Sequence, residues 1–467
     1  MRILLLVYLN MILASGCSPM DGARFEREEK YQMLESESET YEEYQADVEG
    51  ILLNNWAELY ASEVDHPGSS ELEGKNELTP EQLAVLHKPT NKPANCEFGD
   101  GRPGGMLLVH GLYDSPYVMK DLEQYFRDRC FQTRSILLPG NGTRPGNLLQ
   151  IEYTAWIRAV DIAVQQLSKE MDDNIYLTGF STGGALALNA ALDNEEVKGV
   201  FLFAPALKLN SWHARILEGL MMDWVPFQKF EDKDLVKYES MTLNSVIEVS
   251  ELASFVRRKL TGDRPDIAIP VLIVVARNDY TLDSNTAIRL FETGWFGDQS
   301  EMLIYAPLES GEYRTDVVSA GDSGAATRMP VYLNSSFIHN ANGNEYLIAD
   351  YSHMSLLLKP TDSHYGLEGE YKYCLQYFLD KSLKNSCETS GNTITDICFG
   401  ERRVIGSAKY PQCNKRGLTV RRLTSNPRFE EMTQHLDRFI HQYIDGQNTA
   451  VGYLNCQLLA ELRIRHR

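Results

Sequence analysis

The sequence is short of positive charge. It carries 45 lysine and arginine residues against 65 aspartates and glutamates, which gives a net charge of −20. Because phosphate backbones are bound mainly through cationic side chains, this deficit argues against nucleic acid as a partner. Much of the acidic excess lies between residues 21 and 65. Runs of like charge are usually solvated, so we predict that residues 17–95 form an acidic, partly helical spacer, with docking to a basic partner as the alternative.

The sequence also lacks internal repeats and the cysteine and histidine spacings of zinc sites. Four of its eight cysteines lie between residues 374 and 413. The N-terminal segment described next indicates export, and an exported chain meets oxidising conditions, so we expect disulfide bonds in an insert at residues 358–425. Because the spacings of zinc ligands are missing, we expect no metal. The spacing leaves the pairing of these cysteines open.

No stretch beyond the N-terminus approaches the roughly 20 apolar residues that span a bilayer. Residues 3–13 form a shorter apolar run, and three small residues then precede Cys17, as signal peptidases require. This segment resembles the lipobox of bacterial lipoproteins. The resemblance implies a signal peptide at residues 1–16 and a membrane anchor through lipid on Cys17. Because Ser18 replaces the aspartate of inner-membrane retention signals, it also implies an outer-membrane lipoprotein that faces the periplasm or the surface. A plain secretory signal is the alternative.

From residue 96 onward, short apolar runs alternate with longer amphipathic runs. This pattern predicts an α/β domain over residues 96–445, with a mostly parallel sheet covered by helices on both faces. Two inserts interrupt the alternation: a helical one at residues 206–265, rich in Trp, Met and Leu, and the cysteine-rich one. An amphipathic helix is predicted at residues 427–444, and residues 446–467 form a C-terminal tail.

The motif with the clearest chemistry is Gly179-Phe180-Ser181-Thr182-Gly183. A predicted strand precedes it and a predicted helix follows it. In this context the turn is so tight that glycine is needed two residues before and after the serine, and the hydroxyl stands at a helix N-terminus. We therefore predict that Ser181 is a nucleophile. A glycine-rich turn that lets the helix pack close to the sheet is the alternative.

Several segments together resemble the carboxylesterase and monoglyceride-lipase branch of the α/β-hydrolases, which is similar to the serine aminopeptidases. They are His110 to Pro116, Leu138 to Gly142, Trp156, Gly179 to Gly183 and Phe203 to Ala206. The amide of Thr182, which follows the nucleophile, is expected to donate to an oxyanion. The resemblance implies that Leu112 supplies the second amide of the oxyanion hole and that His110 is structural. It also implies that the insert at 206–265 is a cap over an acyl pocket.

The acid and the base should follow the serine in that order along the chain. Asp279 lies in the loop after a predicted strand and matches the family position, so we predict that it is the acid. Asp283 begins the next helix, where a carboxylate is favourable to the helix dipole. His353 follows a later strand and is the predicted base, with His364 as its rival.

These residues predict a serine hydrolase that works through a Ser-His-Asp triad and an acyl-enzyme, and the resemblance implies that it cleaves carboxylic esters. The expected substrate is a small-molecule ester. The Trp, Met and Leu content of the 206–265 insert suits an apolar acyl chain, but packing of the cap on the core is the favoured interpretation of these residues. No cofactor or metal is implied, because nucleophile, base and oxyanion donors are all side chains or amides of this sequence. An amidase or peptidase on the same triad, or a lipoprotein that uses the fold only for binding, are the alternatives.

Overall fold

The computed structural model describes most of the chain from residue 40 to residue 445. The described residues are 40–65, 78–96, 104–210, 227–229, 234–237, 240–262, 267–306, 330–334, 337–339, 343–374, 377, 380–391, 396–401, 410, 413 and 416–445. The predicted signal peptide, Cys17 and the predicted tail at 446–467 lie outside these residues, as do the tryptophans of the 206–265 insert. Among the helices described, none combines the length and apolar character needed to span a bilayer.

Strands and helices alternate along the described part of the chain. The strands are β1 (Asn91–Lys92), β2 (Gly105–Val109), β3 (Gln132–Ile136), β4 (Ile175–Phe180), β5 (Val197–Phe203), β6 (Phe227–Lys229), β7 (Ser240–Thr242), β8 (Val271–Ala276), β9 (Ser300–Ala306), β10 (Val331–Asn334), β11 (Phe337–His339), β12 (Glu345–Ile348), β13 (Ile397–Gly400) and β14 (Thr419–Arg422). The α-helices are α1 (Tyr41–Asp65), α2 (Pro80–His87), α3 (Lys120–Arg127), α4 (Tyr153–Glu170), α5 (Thr182–Asp193), α6 (Leu243–Leu260), α7 (Ser284–Glu292), α8 (Lys381–Thr389) and α9 (Phe429–Phe439). Short 3-10 helices lie at Pro116–Met119, Pro145–Leu148 and His353–Leu356, and a π-helical turn at Ile440–Ile444 continues α9.

The central sheet has eight strands in the order β1-β3-β2-β4-β5-β8-β9-β10. All neighbours in it are parallel except β1 and β3. Every residue of β2, β4 and β8 is buried, as expected for strands that are covered on both faces. The predicted α/β fold with a mostly parallel sheet is therefore confirmed.

Helices α3 and α9 pack together on β5 through aromatic rings. The rings of Phe126 and Phe439 meet Phe201 edge-on at centroid distances of 5.0 and 5.5 Å. Such T-shaped pairs add to the stabilisation from burial. The last amphipathic helix predicted from the sequence thus closes the core of the domain.

The acidic N-terminal segment differs from the solvated spacer that its charge predicted. On α1, an aromatic and aliphatic face is buried in the main core, whereas the acids Glu42, Glu43 and Asp47 are exposed on the other face. The Tyr41 hydroxyl donates to the carbonyl of Ser135 at the end of the sheet. These three acids, the part of the charge run that the first turns of α1 carry, therefore belong to the outer face of an amphipathic helix of the domain. The buried face consists of Tyr41, Tyr44, Val48, Leu52, Trp56 and Leu59.

A second sheet carries the strand that precedes His353. Its order is β11-β12-β13-β14, with β12, β13 and β14 parallel and β11 antiparallel. The strand before His353 is β12, so it does not belong to the central sheet. Strands β13 and β14 come from the cysteine-rich insert at 358–425, which therefore extends the sheet of the strand before His353.

Disulfide bonds stabilise this region, as predicted. Cys374 pairs with Cys387, and Cys398 pairs with Cys413. A third bond joins Cys96 to Cys130, which lies just before β3. The described part of the 206–265 insert contains the antiparallel β6–β7 pair and the helix α6, which packs on α5. There the Lys259 ammonium donates to the Asn189 side chain at 2.7 Å.

Candidate active site

Ser181 stands on a strained turn between β4 and α5. Its backbone has φ 55° and ψ −116°, a conformation that non-glycine residues rarely adopt. A Cβ at Gly179 would clash with the carbonyl of Gly183, and a Cβ at Gly183 would clash with the carbonyl of Val109. The two glycines of the motif therefore permit the close crossing of strand and helix that raises the serine hydroxyl above the sheet edge.

A continuous line of hydrogen bonds joins the serine to a histidine and an aspartate. His353 Nε2 lies 3.0 Å from Ser181 Oγ, and His353 Nδ1 lies 2.6 Å from Asp279 Oδ2. The other carboxylate oxygen of Asp279 accepts the backbone N–H groups of Thr281 and Leu282 at 2.7 and 2.9 Å. The carboxylate is therefore held in place by its own loop while it orients the imidazole. The structure thus brings together the three side chains that sequence reasoning grouped.

These three side chains are shielded from solvent. Ser181 is 8% exposed and His353 5% exposed, and the Asp279 side chain has no exposed surface. The ring of Phe180 covers the imidazole at a centroid distance of 4.9 Å. Because electrostatic interactions strengthen as water is excluded, the pairing of imidazole and carboxylate is stronger here than at the surface.

The rival acid and base are engaged elsewhere. Asp283 forms an ion pair with Lys208 at 2.9 Å at the start of α7. The His364 ring stacks on Tyr371 at 5.5 Å, and its Nδ1 lies 3.7 Å from a carboxylate oxygen of Glu370. Burial lowers the pKa of His364 below the usual range. The geometry therefore groups neither residue with the serine.

The loop after β2 approaches the serine closely. A Cβ at Gly111 would lie 3.1 Å from the Ser181 Cβ. The Asp114 N–H donates to the Gly111 carbonyl at 3.2 Å, which closes a turn around Leu112. Tyr113 has φ 65°, and its N–H donates to the Asn141 side chain at 2.7 Å. The turn that carries the Leu112 amide is thus fixed beside the serine.

The other predicted oxyanion donor, Thr182, is the first residue of α5 and is buried. N–H groups in the first turn of a helix have no carbonyl partner within that helix. Together with the helix dipole, they favour negative charge at this end of α5. The position suits an amide that would face an oxyanion next to the serine.

His110 ties the loop that carries Leu112 to the chain that follows the neighbouring strand β3. Its Nδ1–H donates to the Gly111 carbonyl at 2.7 Å, and its Nε2 accepts the Leu138 N–H at 3.0 Å. Burial lowers the pKa of His110 to about 4, so the ring is neutral at physiological pH. These contacts agree with the structural role that the resemblance implied.

A buried carboxylate that sequence reasoning missed lies on the same loop. Asp114 is fully buried, and its Oδ1 lies 3.3 Å from the Lys237 ammonium. Burial raises the pKa of Asp114 to about 6, although Lys237 acts in the opposite direction. Asp114 lies within the motif from His110 to Pro116, but an aspartate in a loop gives no sequence signal of burial. The described residues contain no cluster of three or more His, Cys, Asp or Glu side chains that could hold a metal.

Two further residues missed by sequence reasoning come from the cysteine-rich insert. The Glu401 carboxylate is buried, pairs with Arg422 and accepts the His353 backbone N–H at 3.2 Å. Glu401 and Arg422 lie near the site because β12, β13 and β14 pair, and no local sequence motif predicts this pairing.

The comparisons with known proteins agree with this fold. The family model described as "Serine aminopeptidase, S33" matches residues 103–240, which contain the loop after β2 and the serine turn. A thermostable monoacylglycerol lipase from Bacillus sp. (strain H-257) is 25% identical over 213 residues, which are 44% of this chain and 82% of that protein.

Solved structures give matches of similar extent. A structure reported for the metagenome-derived lipolytic enzymes LipS and LipT has 21% identity and a TM-score of 0.41, covering 47% of this chain and 87% of that one. The monoacylglycerol lipase of Paleococcus ferrophilus has 16% identity and a TM-score of 0.37, covering 47% and 88%.

The fold is that of an α/β hydrolase, and the comparisons support a hydrolase that is like the carboxylesterases and lipases. Within that class the chain is similar to the monoacylglycerol lipases and to the serine aminopeptidase family.

Proposed function

We propose that this protein is a serine hydrolase that cleaves carboxylic esters, with Ser181 as nucleophile, His353 as general base and Asp279 as the acid. The observation that carries the proposal is the hydrogen-bonded line from the serine hydroxyl through the imidazole to the carboxylate. This order of groups activates a hydroxyl that is otherwise a weak nucleophile.

In the first half of the reaction, Ser181 Oγ attacks the ester carbonyl carbon while His353 Nε2 takes its proton. The Asp279 carboxylate accepts the Nδ1–H bond and stabilises the imidazolium. The amides of Leu112 and Thr182 donate to the oxyanion of the tetrahedral intermediate. The intermediate collapses when the imidazolium gives its proton to the departing alcohol, which leaves an acyl-enzyme on Ser181.

In the second half, water replaces the alcohol. His353 takes a proton from the water as its oxygen attacks the acyl carbon, and the same oxyanion donors stabilise the new intermediate. The proton then returns to Ser181 Oγ, and the carboxylic acid leaves. No group other than these residues and water is needed to balance either step.

We propose a small ester with an acyl chain as the substrate. The support is the similarity to a thermostable monoacylglycerol lipase, together with the Trp, Met and Leu content of the 206–265 insert. A panel of nitrophenyl esters of increasing chain length, measured beside aminoacyl amides, tests this proposal. Faster turnover of the amides would favour an amidase or peptidase instead.

Covalent labelling is the direct test of the site. A fluorophosphonate probe should label the wild-type protein, and peptide mass mapping should locate the adduct on Ser181. Ser181→Ala should lose labelling and at least roughly 1,000-fold of esterase activity, because residual catalysis then rests on binding and the oxyanion hole alone. A Ser181→Ala protein that keeps full activity would refute the assignment, and a wild-type protein that neither labels nor turns over esters would favour a binding role.

We also propose that Cys17 is lipidated after removal of residues 1–16 and anchors the protein in the outer membrane, facing the periplasm or the surface. The support is the sequence alone, since these residues lie outside the described structure. Metabolic labelling with an alkyne fatty acid, followed by membrane fractionation, tests the proposal. Cys17→Ala should abolish labelling and release the protein from the membrane. A wild-type protein that is neither labelled nor found in the membrane fraction would point to a plain secretory signal.

A further inference from the structure

The cysteine-rich insert places one buried ion pair against the triad. Arg422 Nε lies 2.8 Å from Glu401 Oε1, and their side chains are 6% and 0% exposed. Glu401 follows the end of β13, and Arg422 is the last residue of β14, paired in register with Gly400. The two charges therefore stand side by side at the carboxyl edge of the second sheet. His353 follows β12 of the same sheet.

The second oxygen of Glu401 joins two loops of the active site. Oε2 accepts the backbone N–H of Tyr280 and the backbone N–H of His353, each at 3.2 Å. Tyr280 directly follows Asp279 in the chain. A single carboxylate oxygen therefore connects the loop of the acid with the loop of the base.

Arg422 pairs with this carboxylate in a buried place. An unpaired buried charge is costly, and N–H groups bond more strongly to a charged acceptor than to a neutral one, so the ion pair favours the two contacts of Oε2. Arg422 is itself held between the Tyr373 ring, 4.9 Å from the guanidinium, and Met354 Sδ at 3.4 Å from Nη1. The pair supplies a strong, fixed acceptor with little net charge near the imidazole.

A second bridge from the insert links the same two loops. Asp350 Oδ2 accepts the Asn278 side-chain amide at 3.1 Å and the Tyr410 hydroxyl at 3.0 Å. The Tyr410 oxygen in turn accepts the Glu401 N–H at 3.2 Å. Asn278 precedes the acid and Asp350 precedes the base, so the loops are tied on both sides of the acid–base contact.

We infer that Glu401 is a positioning residue: its Oε2 sets the distance between Asp279 and His353, and through it the cysteine-rich insert controls turnover. The inference rests on the proposed hydrolase function. Because a displacement of about 1 Å in a catalytic group can cost roughly 100-fold in rate, loss of this contact should lower kcat and leave substrate binding almost unchanged. A purely structural ion pair would instead affect stability alone.

Two double variants separate these roles. Glu401→Gln with Arg422→Met removes both buried charges but keeps a carbonyl oxygen that can accept the two N–H groups. Glu401→Met with Arg422→Met removes the same charges and leaves no acceptor. Replacement of a buried ion pair by neutral residues is often tolerated, so both proteins should fold. Thermal unfolding measured on each full-length protein verifies this.

The expected result is a kcat within about threefold of wild type for the Gln/Met protein and a kcat about 10- to 100-fold lower for the Met/Met protein, with KM for the same nitrophenyl ester changed less than twofold. The fluorophosphonate labelling rate should fall in parallel with kcat. Equal kcat values for the two folded double variants would overturn the inference while leaving the hydrolase intact. A wild-type protein that neither labels nor hydrolyses esters would instead refute the function on which the inference rests.

Tyr410→Phe is a milder variant that also tests whether the cysteine-rich insert controls turnover. It removes the hydroxyl that receives the Glu401 N–H and donates to Asp350. A severalfold loss of kcat at constant KM supports control by the insert. Unchanged kcat in a protein whose unfolding temperature has dropped would show that this bridge is merely structural and would count against the inference.

Discussion

At Gly183 a single hydrogen in place of a side chain decides whether the serine turn can form. A Cβ there would clash with the carbonyls of Val109 and His110. Gly50, in α1, is also helical, but it is exposed, and a Cβ added to it would have no atom within 4 Å. Substitution by alanine should therefore lower the stability of the protein at Gly183 and raise it at Gly50, although both glycines are helical.

We expect Gly183→Ala to lower the free energy of unfolding by at least about 3 kcal/mol, because backbone atoms cannot move aside cheaply. We expect Gly50→Ala to raise it by about 0.5–1 kcal/mol through the better helix propensity of alanine. Urea denaturation of both variants measures the two shifts. If Gly183→Ala is as stable as wild type, the crossing of β2 and α5 is looser than the structure has it.

The burial of His110 predicts how the stability of the protein depends on pH. Its pKa is about 4 in the folded protein, below the usual 6.5 that the unfolded chain should show, because burial opposes the charged ring. The unfolded state therefore binds the proton more tightly. The stabilisation from a neutral His110 is fully present above pH 6.5 and is lost as the pH falls through about 4, for a total of about 3 kcal/mol.

The variant that tests this is His110→Gln, which cannot titrate. Wild type should exceed the variant in stability at pH 7.5, because the variant loses the bonds to Gly111 and Leu138. That gap should narrow by about 3 kcal/mol at pH 4. Chemical denaturation at the two pH values gives both differences, and a gap that stays constant with pH would contradict a buried neutral imidazole.

At the scale of the element, α1 shows how charge and burial coexist in one segment. The acidic residues of this segment led to the prediction of a solvated spacer. However, apolar residues recur at helical spacing from Tyr41 to Leu59, and they are buried. Leu52 is fully buried, whereas Ala46 on the same helix is exposed. A spacer and a core helix therefore predict different outcomes for Leu52.

Leu52→Ala should destabilise the domain by about 2–5 kcal/mol, because it leaves a cavity in the core. Ala46→Ser on the exposed face should stay within about 0.5 kcal/mol of wild type. Thermal and urea unfolding of the two variants distinguish the cases. Equal stabilities would mean that α1 does not pack on the domain in solution.

Sequence patterns predicted the local parts of the site better than its long-range parts. The turn around Ser181 has a motif because its geometry demands glycine at fixed positions. Asp279 and His353 could be selected because each follows a strand, although β12 lies in a second sheet and not in the central one. Glu401 and Arg422 had no comparable signal, since their place depends on strand pairing over a long sequence separation.

At the scale of the whole molecule, two of the three disulfides in the described residues differ in their place relative to the proposed triad: one precedes β3, at the end of the sheet opposite Ser181, and the other includes a residue of β13, beside the strand before His353. Cys96–Cys130 closes a sequence separation of 34 residues, and Cys398–Cys413 closes 15. In the loop-entropy description, the longer loop constrains the unfolded chain more, by about 0.7 kcal/mol. The shorter loop contains both Glu401, which accepts the His353 backbone N–H, and Tyr410, which donates to Asp350 before His353. Loss of Cys96–Cys130 should therefore cost more stability, whereas loss of Cys398–Cys413 should cost more activity.

We expect the Cys96→Ser/Cys130→Ser protein to lose about 2–4 kcal/mol of stability and to keep the wild-type kcat. The Cys398→Ser/Cys413→Ser protein should lose slightly less stability, yet its kcat should fall about tenfold or more at constant KM, because a freed loop relaxes the contacts that fix His353 relative to Asp279. Urea unfolding and nitrophenyl ester kinetics on the same preparations give both rankings. If loss of Cys96–Cys130 lowers kcat as much as loss of Cys398–Cys413, disulfide loss acts through global loosening of the fold, and the second sheet has no special control over the triad.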